Sequence, residues 1–320
     1  MFYFLPGFHR IVVYLIEWEE VKYILLTAAI IIIGGIGWWL VTQQSPHTSI
    51  DIKSSWHISP SPSPSPITVL PLTIDRVLDS KIDANISDPQ VVSILVTGDV
   101  LTARTVNRLT IESGDFRWPW LFTASELQAA DLTYINLETP LVTDCPTKDG
   151  GFIFCGDVRH AQGLLFAGID VANLANNHMA NYGAPGIADT ISTLNSAGIA
   201  MSGLEQPAVI EKNGTRFAFV GFNEVGVQPG VNTADPDFVV SHIKEAKAMA
   251  DVVIAQFHWG AEYQRQPTSN QVQLAHLAVE SGADLVVGNH PHWWQPAEVY
   301  QDTLIMYSHG NFIFDQMWST

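Results

Sequence analysis

The chain has 320 residues, 47% of them hydrophobic, with 32 acidic against 15 basic side chains and a formal net charge of -17. That length allows one sizeable domain with appendages. The acidic surplus argues against nucleic acid, whose phosphates bind basic surfaces. An anionic substrate would need a neutralising group other than Lys and Arg, and bound metal is the obvious candidate.

The run from Tyr23 to Val41, YILLTAAIIIIGGIGWWLV, carries no charge. At about 1.5 Å per residue, roughly 20 residues cross a hydrocarbon core of ~30 Å. Trp38 and Trp39 lie near one end of it, where amphipathic rings favour the membrane interface. This predicts one transmembrane helix over residues 23–43. A cleaved signal peptide is the competing reading, but the run is long and starts late. Arg10 and Lys22 precede the run and the next basic residue is Lys53. The positive-inside rule therefore favours a cytoplasmic segment over residues 1–22 and an extracytoplasmic remainder, with Glu17, Glu19 and Glu20 diluting the signal. The expectation is a single-pass cell-membrane protein. The repeat SPSPSPSP at 59–66 blocks helix and sheet, so residues 44–90 read as an extended, semi-rigid linker.

Regular patterning starts near Val91. VSILVTGD and DLTYINLE read as buried strands. Between them and the next strand lies DCPTKDGGFIFC, whose Cys145 and Cys155 suit either a short disulfide loop or two free thiols. IDVANLANNH predicts a third strand, followed by a helix over Ala184–Ala197. In PAVIEKNGTRFAFVGF, Asn213-Gly214 suits a two-residue type I′ turn, so the segment reads as a hairpin. DVVIAQFHWG is a further strand, QVQLAHLAVESG a helix ended by Gly282, and ADLVVGNH a strand again. AEVY and TLIMYSHGN suggest a last hairpin. Alternating strands and helices of this kind predict an α/β domain over residues 91–320.

Polar residues gather where these strands end: Asp99, Glu138, Asn177 with His178, His258, and His290 with His292. Ligand sites of α/β sheets lie outside the carboxyl ends of the strands. Carboxylate, amide oxygen and imidazole together suit Mn, Fe or Zn better than Ca, and no cysteine lies at a strand end to favour a structural zinc site. The set exceeds the needs of one ion. Two divalent ions about 3.5–4 Å apart, bridged by a carboxylate, would use it fully, activating water and stabilising phosphoryl charge. Because His290 and His292 alternate, a tight turn would aim them at different ions.

The blocks VTGDVLTAR, INLETPL, LANNHMANYG, HWGAEY, VVGNHPHWWQPAEVY and YSHGNFIFDQ resemble, in order, the motifs of the CapA family. These are bacterial capsule and poly-γ-glutamate synthesis proteins related in fold to calcineurin-like metallophosphoesterases. The resemblance implies a four-layer α/β sandwich of the metallophosphoesterase type for residues 91–320. It also implies that Asp99 binds a first ion, that Glu138 bridges, and that Asn177, His258 and His290 hold a second, with His292 returning to the first. His178 would be the proton donor to a leaving group.

Three positions depart from that pattern. Leu101 stands where metallophosphoesterases place a histidine, a loss shared by CapA-like proteins that weakens the first ion's site. Asn181 replaces a usual aspartate, which puts support of His178 in doubt. His309 replaces a usual leucine and offers a spare ligand. The chain also stops at FDQMWST, where relatives usually continue, so a closing segment is missing or this version is short.

Arg104 reads either as an anchor for an anionic group or as half of an ion pair. Trp293 and Trp294 suit packing at the rim of the site better than stacking on a sugar. His160, His242 and His276 have no partners in pattern and read as solvated or structural. The expected function is a metal-dependent, phosphoesterase-like hydrolase of capsule or poly-γ-glutamate-type polymer formation, acting on an anionic polymer or phosphoester. Its rival is a non-catalytic metal-binding scaffold among the subunits of a polymer synthesis or export complex.

Overall fold

The structure, a computed structural model, describes residues 12–14, 30–33, 73–74 and 91–315. The SPSPSPSP repeat lies outside the described residues, as does the apolar run 23–43 apart from Ile30–Ile33. That short piece is extended rather than helical. Two short strands, β1 (Val12–Tyr14) and β2 (Ile30–Ile33), pair with the start of β3 (Val91–Val100). Among the described residues no helix is long and apolar enough to cross a membrane. Ile74, in the stretch read as linker, packs against the core.

Two sheets form the body. The first runs β1-β3-β4-β7-β8 with β4 (Leu132–Leu137), β7 (Val171–Asn173) and β8 (Ala200–Ser202), and β15 (Asn311–Ile313) also pairs with β3. From β3 through β8 its strands are parallel. The second runs β13-β14-β12-β11-β10-β9. Its centre, β10 (Thr215–Asn223), β11 (Val252–His258), β12 (Leu285–Asn289) and β14 (Thr303–His309), is parallel, with β9 (Ala208–Lys212) and β13 (Trp294–Tyr300) antiparallel at the edges. Both expected hairpins form, the first turning at Asn213 and Gly214, with φ of 53° and 78°. A separate two-stranded ladder joins β5 (Leu141–Val142) to β6 (Gly156–Asp157).

Strand alternation sorts the side chains into layers. Val92, Ile94, Val96, Leu132, Tyr134 and Val171 of the first sheet meet Phe217, Phe219, Ile254, Leu285, Val287, Leu304 and Met306 of the second in one core. The outer face of the second sheet is covered by α5 (Pro236–Met249) and α6 (Ser269–Ser281), through Val239, Ile243, Leu274 and Ala278. Four helices accompany the first sheet: α1 (Arg104–Ser113), α2 (Ala124–Gln128), α3 (His160–Ala167) and α4 (Gly183–Ala197). They pack through Val106, Leu127, Leu164, Ile187 and Leu194. The domain is thus helix, sheet, sheet, helix. α6 starts on a capping box of Thr268 and Gln271 and ends at Gly282, where φ is 113°.

The inter-sheet face changes character along the strands. The inward positions that follow its apolar residues are Asn136, Asn173, Gln256, His258, Asn289 and Ser308, all buried. β3 reaches the same polar end by a register shift between Val96 and Asp99, which turns Asp99 inward. Gly98 makes the shift possible, because a Cβ there would lie 2.3 Å from the carbonyl oxygen of Gly310.

Candidate metal centre

At the carboxyl ends of the two sheets the structure gathers Asp99, Glu138, Asn177, His178, His258, His290 and His292. Asp99 and His258 lie in the last residues of β3 and β11, Glu138 follows β4, and His290 follows β12. His290 and His292 both have positive φ, 95° and 58°, which breaks strand alternation and lets both imidazoles face the cluster. Their ring centroids are 5.8 Å apart, and that of His290 is 4.8 Å from that of His258.

Asp99 is fully buried. The Asn136 amide donates to its Oδ1 (2.8 Å), and His292 Nδ1 lies 3.2 Å from its Oδ2. His292 Nδ1 is also 2.8 Å from Asn311 Oδ1. Glu138 is fully buried as well, yet neither carboxylate oxygen has a hydrogen-bond partner. The Nε2 atoms of His178 and His258 stop 3.8 and 3.9 Å from it. Asn177 Oδ1 lies 2.9 Å from His258 Nε2.

The titrations follow from this burial. Desolvation, helped by the charge of Asp99, pushes Glu138 well above the carboxylate range. Burial holds His178 and His290 down at about 4, and holds His258 well below the imidazole range. Burial would lower His292 too, but Glu138 and the contacts to Asp99 and Asn311 outweigh it and raise His292 to about 9. Two carboxylates are therefore enclosed among three imidazoles that favour neutrality and one, His292, that favours its charged form.

Two sets of donor atoms come within 4.8 Å of one another: Glu138, His290 and His292, and Asp99, Glu138 and His258. They share Glu138, whose orphaned oxygens a cation would satisfy. The donor set of carboxylates and imidazoles fits a divalent transition ion.

Leu101, expected from the resemblance to stand in place of a metal-binding histidine, is fully buried in an apolar cluster with Ala103 and Phe154. Asn181 does support His178: its Oδ1 lies 3.0 Å from His178 Nδ1 and accepts the Phe154 backbone N–H at 2.7 Å. The aspartate of the motif supplies an acceptor oxygen, and the carboxamide keeps one. Arg104 is an ion-pair partner of Asp315, with its guanidinium over the rings of Phe154 and Phe314. Neither donor set includes His309, which is buried at the end of β14 with a pKa pushed down to about 4.

Trp294 packs against the inter-sheet core, whereas Trp293 lies beside Tyr263 and under Arg265. His160 is buried beside Asn107, His242 stacks on Phe238, and His276 pairs with Glu298. Cys145 and Cys155 form a disulfide with a Cα–Cα distance of 5.9 Å, closing one of the two alternatives left by sequence.

Sequence reading missed the carboxamides that brace the ligands. Asn136 also lies 3.3 Å from His258 Nδ1, the Asn173 amide donates to Asn136 Oδ1 (3.1 Å), and the Gln256 amide donates to Asn289 Oδ1 (2.6 Å). Their signal was present as polar residues at inward positions of otherwise apolar strands.

Comparison with known proteins agrees with the family resemblance. The chain is 34% identical over 247 residues to the PGA biosynthesis protein CapA of Bacillus subtilis (strain 168), covering 72% of this chain and 65% of that protein. It is 32% identical to the capsule biosynthesis protein CapA of Bacillus anthracis, covering 71% and 61%. The chain therefore spans somewhat less than two thirds of the length of these relatives. A solved structure of a hypothetical protein from Thermus thermophilus is 21% identical, covers 68% of this chain and 75% of its own, and aligns with a TM-score of 0.47. Residues 93–316 match the family described as bacterial capsule synthesis protein PGA_cap, and the chain belongs to that family.

Proposed function

We propose that the protein is a membrane-anchored, extracytoplasmic, metal-dependent hydrolase of the phosphoesterase type, serving capsule or poly-γ-glutamate-type polymer formation. The observation that carries this reading is the pair of donor sets sharing Glu138, a buried carboxylate with no partner of its own. Asp99, Glu138, Asn177, His258, His290 and His292 would hold one or two divalent ions, Mn, Fe or Zn. Such ions supply positive charge for an anionic oxygen and lower the pKa of water.

The chain's own groups do the rest. His178 Nδ1–H donates to Asn181 Oδ1, which leaves Nε2 facing Glu138 as the atom that takes up a proton and releases it from the imidazolium. His178 gives its proton to the departing oxygen or nitrogen. The buried walls around Glu138 keep bulk water from screening the charges. Arg104, tied to Asp315, shapes the edge of the site and contributes positive charge to an anionic substrate. The uncharged run 23–41 supports the anchor, and the Cys145–Cys155 disulfide suits an oxidising compartment outside the cytoplasm.

One observation favours a second reading. Leu101 sits in an apolar cluster where a histidine would complete the first ion's site. A scaffold subunit of a polymer synthesis or export complex, keeping the fold and one ion, is the alternative.

The test is to purify the full chain, measure bound Mn, Fe and Zn, and assay phosphodiester, phosphomonoester and γ-glutamyl substrates. His178→Ala and His290→Ala serve as controls. Turnover that is lost in both variants supports the enzyme. Bound metal with no turnover of any substrate supports the scaffold.

A further inference from the structure

We propose that Phe154 is the positioning residue for His178, and that the Cys145–Cys155 disulfide holds Phe154 in place to do it. The inference rests on the proton-donor reading of His178 given above.

The Phe154 ring stacks on the His178 imidazole, with centroids 3.9 Å apart and planes 29° from parallel. The Phe154 N–H donates to the same Asn181 oxygen that takes His178 Nδ1, at 2.7 and 3.0 Å. One residue thus grips the imidazole twice, by its ring face and through a shared acceptor. The Arg104 guanidinium lies 4.8 Å from the Phe154 ring centroid, so aromatic and cationic neighbours both pin the phenyl ring.

The backbone of Phe154 is held as firmly. It directly precedes Cys155, whose sulfur bonds to Cys145, and it is two residues from β6, which pairs with β5. The Gly156 N–H donates to the Pro140 carbonyl at 2.9 Å. The loop divides sharply in exposure: Phe152 and Ile153 are 77% and 62% exposed, whereas Phe154 is 3% exposed. Phe154 thus joins the apolar cluster of Leu101 and Ala103 to the face of His178. A proton donor needs its ring fixed in angle as well as in place, because small misplacements cost up to about 100-fold in rate.

Asn181 alone leaves the imidazole free to tilt about the Nδ1 contact, and the phenyl face removes that freedom. An aromatic face also tolerates the imidazolium as well as the imidazole, so the grip persists through a proton-transfer cycle.

The experiment uses the full chain with Phe154→Leu, Phe154→Tyr and the paired Cys145→Ser/Cys155→Ser change. Two readouts do not depend on turnover: the rate at which diethyl pyrocarbonate modifies His178, mapped by mass spectrometry, and the ring-current shift of the His178 protons. Phe154→Leu and the serine pair are expected to speed modification about tenfold and to abolish the upfield shift. Phe154→Tyr should restore both, and bound metal should be unchanged in all three. Where turnover is measurable, kcat falls between about tenfold and 100-fold while KM stays within about twofold. Reduction of the wild-type disulfide by a phosphine supplies the same perturbation should a variant misfold. Unchanged His178 reactivity and ring-current shift in Phe154→Leu would overturn the proposal. A wild type without turnover would instead sink the hydrolase reading, while the labelling and shift data still decide the clamp.

Discussion

Asn177 Oδ1 lies 2.9 Å from His258 Nε2, although the two residues are 81 positions apart and are carried by different sheets. Asn177 lies on the loop after β7, a strand of the first sheet, and His258 ends β11 of the second. The contact forms only because the sheets pack with their polar ends together, so the site reports on the registration of the whole sandwich. Every ligand on one sheet depends on packing made by the other.

Replacing Glu138 by Gln is expected to raise the melting temperature of the chelator-treated protein and to weaken divalent-ion binding at least about 100-fold. The carboxylate is buried without a partner and is crowded by Asp99, so its charge costs stability when no cation offsets it. An amide removes that charge and also removes the shared donor of both atom sets. Thermal melts with and without chelator check the first outcome, and metal-competition titration the second. A lower melting temperature in chelator would contradict the argument.

Metal affinity should climb with pH between 7 and 9, by about tenfold per unit, because His292 must lose its proton to bind. Its pKa is held at about 9 by Glu138 and Asp99 against the effect of burial. The same shift fixes the pH dependence of the metal-free fold. A base raised in the native state stabilises fully below its unfolded value of about 6.5 and loses that contribution as pH rises through 9. His178 and His290, lowered to about 4, act oppositely: they make the fold gain stability as pH rises from 4 to about 6.5. On these histidines alone, metal-free stability should therefore peak near neutrality, with the raised Glu138 carboxyl offsetting part of the gain as pH rises above its unfolded value. Competition titrations at pH 7, 8 and 9 decide the first point, and denaturant midpoints across the range decide the second.

Asn136→Leu should lower metal affinity about 10- to 100-fold without removing a ligand. The Asn136 amide holds Asp99 Oδ1 and lies against His258 Nδ1, so one side chain orients a donor from each sheet. The change also removes one of the two acceptors of the Asn173 amide, leaving it the Ala175 carbonyl, at a cost of about 1 kcal/mol. Asn136→Asp, which keeps an acceptor for Asn173 but repels Asp99, separates the two effects in a denaturation series.

How much of this was legible depended on whether the information was local. Apolar runs marked the strands that line the inter-sheet core, from Val92, Ile94 and Val96 to Leu304 and Met306, while their faces came from the packing. Strict alternation continued through β3 would have put Gly98 inward and Asp99 outward. The bulge reverses that phase, and its cause lies in the close approach of Gly310, more than 200 positions away. Arg104 likewise finds Asp315 across 211 positions, a pairing no spacing reveals. The substitution at Asn181 weakened the motif on paper because a motif specifies a residue, whereas the geometry requires only an oxygen beside His178. The carboxamide lattice of Asn136, Asn173 and Asn289 matches no motif, but it was written in the sequence as polar residues at inward positions.

Gly98→Ala should cost several kcal/mol and disturb the metal site first, since the new methyl group meets backbone rather than a flexible side chain. The Cβ would lie 2.3 Å from the Gly310 carbonyl oxygen, the same carbonyl that accepts the Asp99 N–H at 2.9 Å. Relief of the clash requires β3 and β15 to separate, which carries Asp99 away from His292. Loss of metal at a denaturant concentration well below the unfolding midpoint is the expected signature. Coincident loss of metal and fold would place the strain elsewhere.

Asn181→Asp should increase activity at neutral pH if His178 is the proton donor. Burial holds His178 at about 4, so at pH 7 only about one molecule in a thousand carries the donor proton. The Asn181 oxygen already sits 3.0 Å from Nδ1. A carboxylate at the same position would keep that contact and keep the Phe154 N–H satisfied. It would also add a charge that favours the imidazolium by about one to three pKa units. The protonated fraction at pH 7 then rises at least about tenfold, and the alkaline limb of the kcat profile moves upward by the same shift. A pH profile of Asn181→Asp beside the wild type tests this. An unmoved limb together with normal metal content would mean that His178 does not deliver the proton.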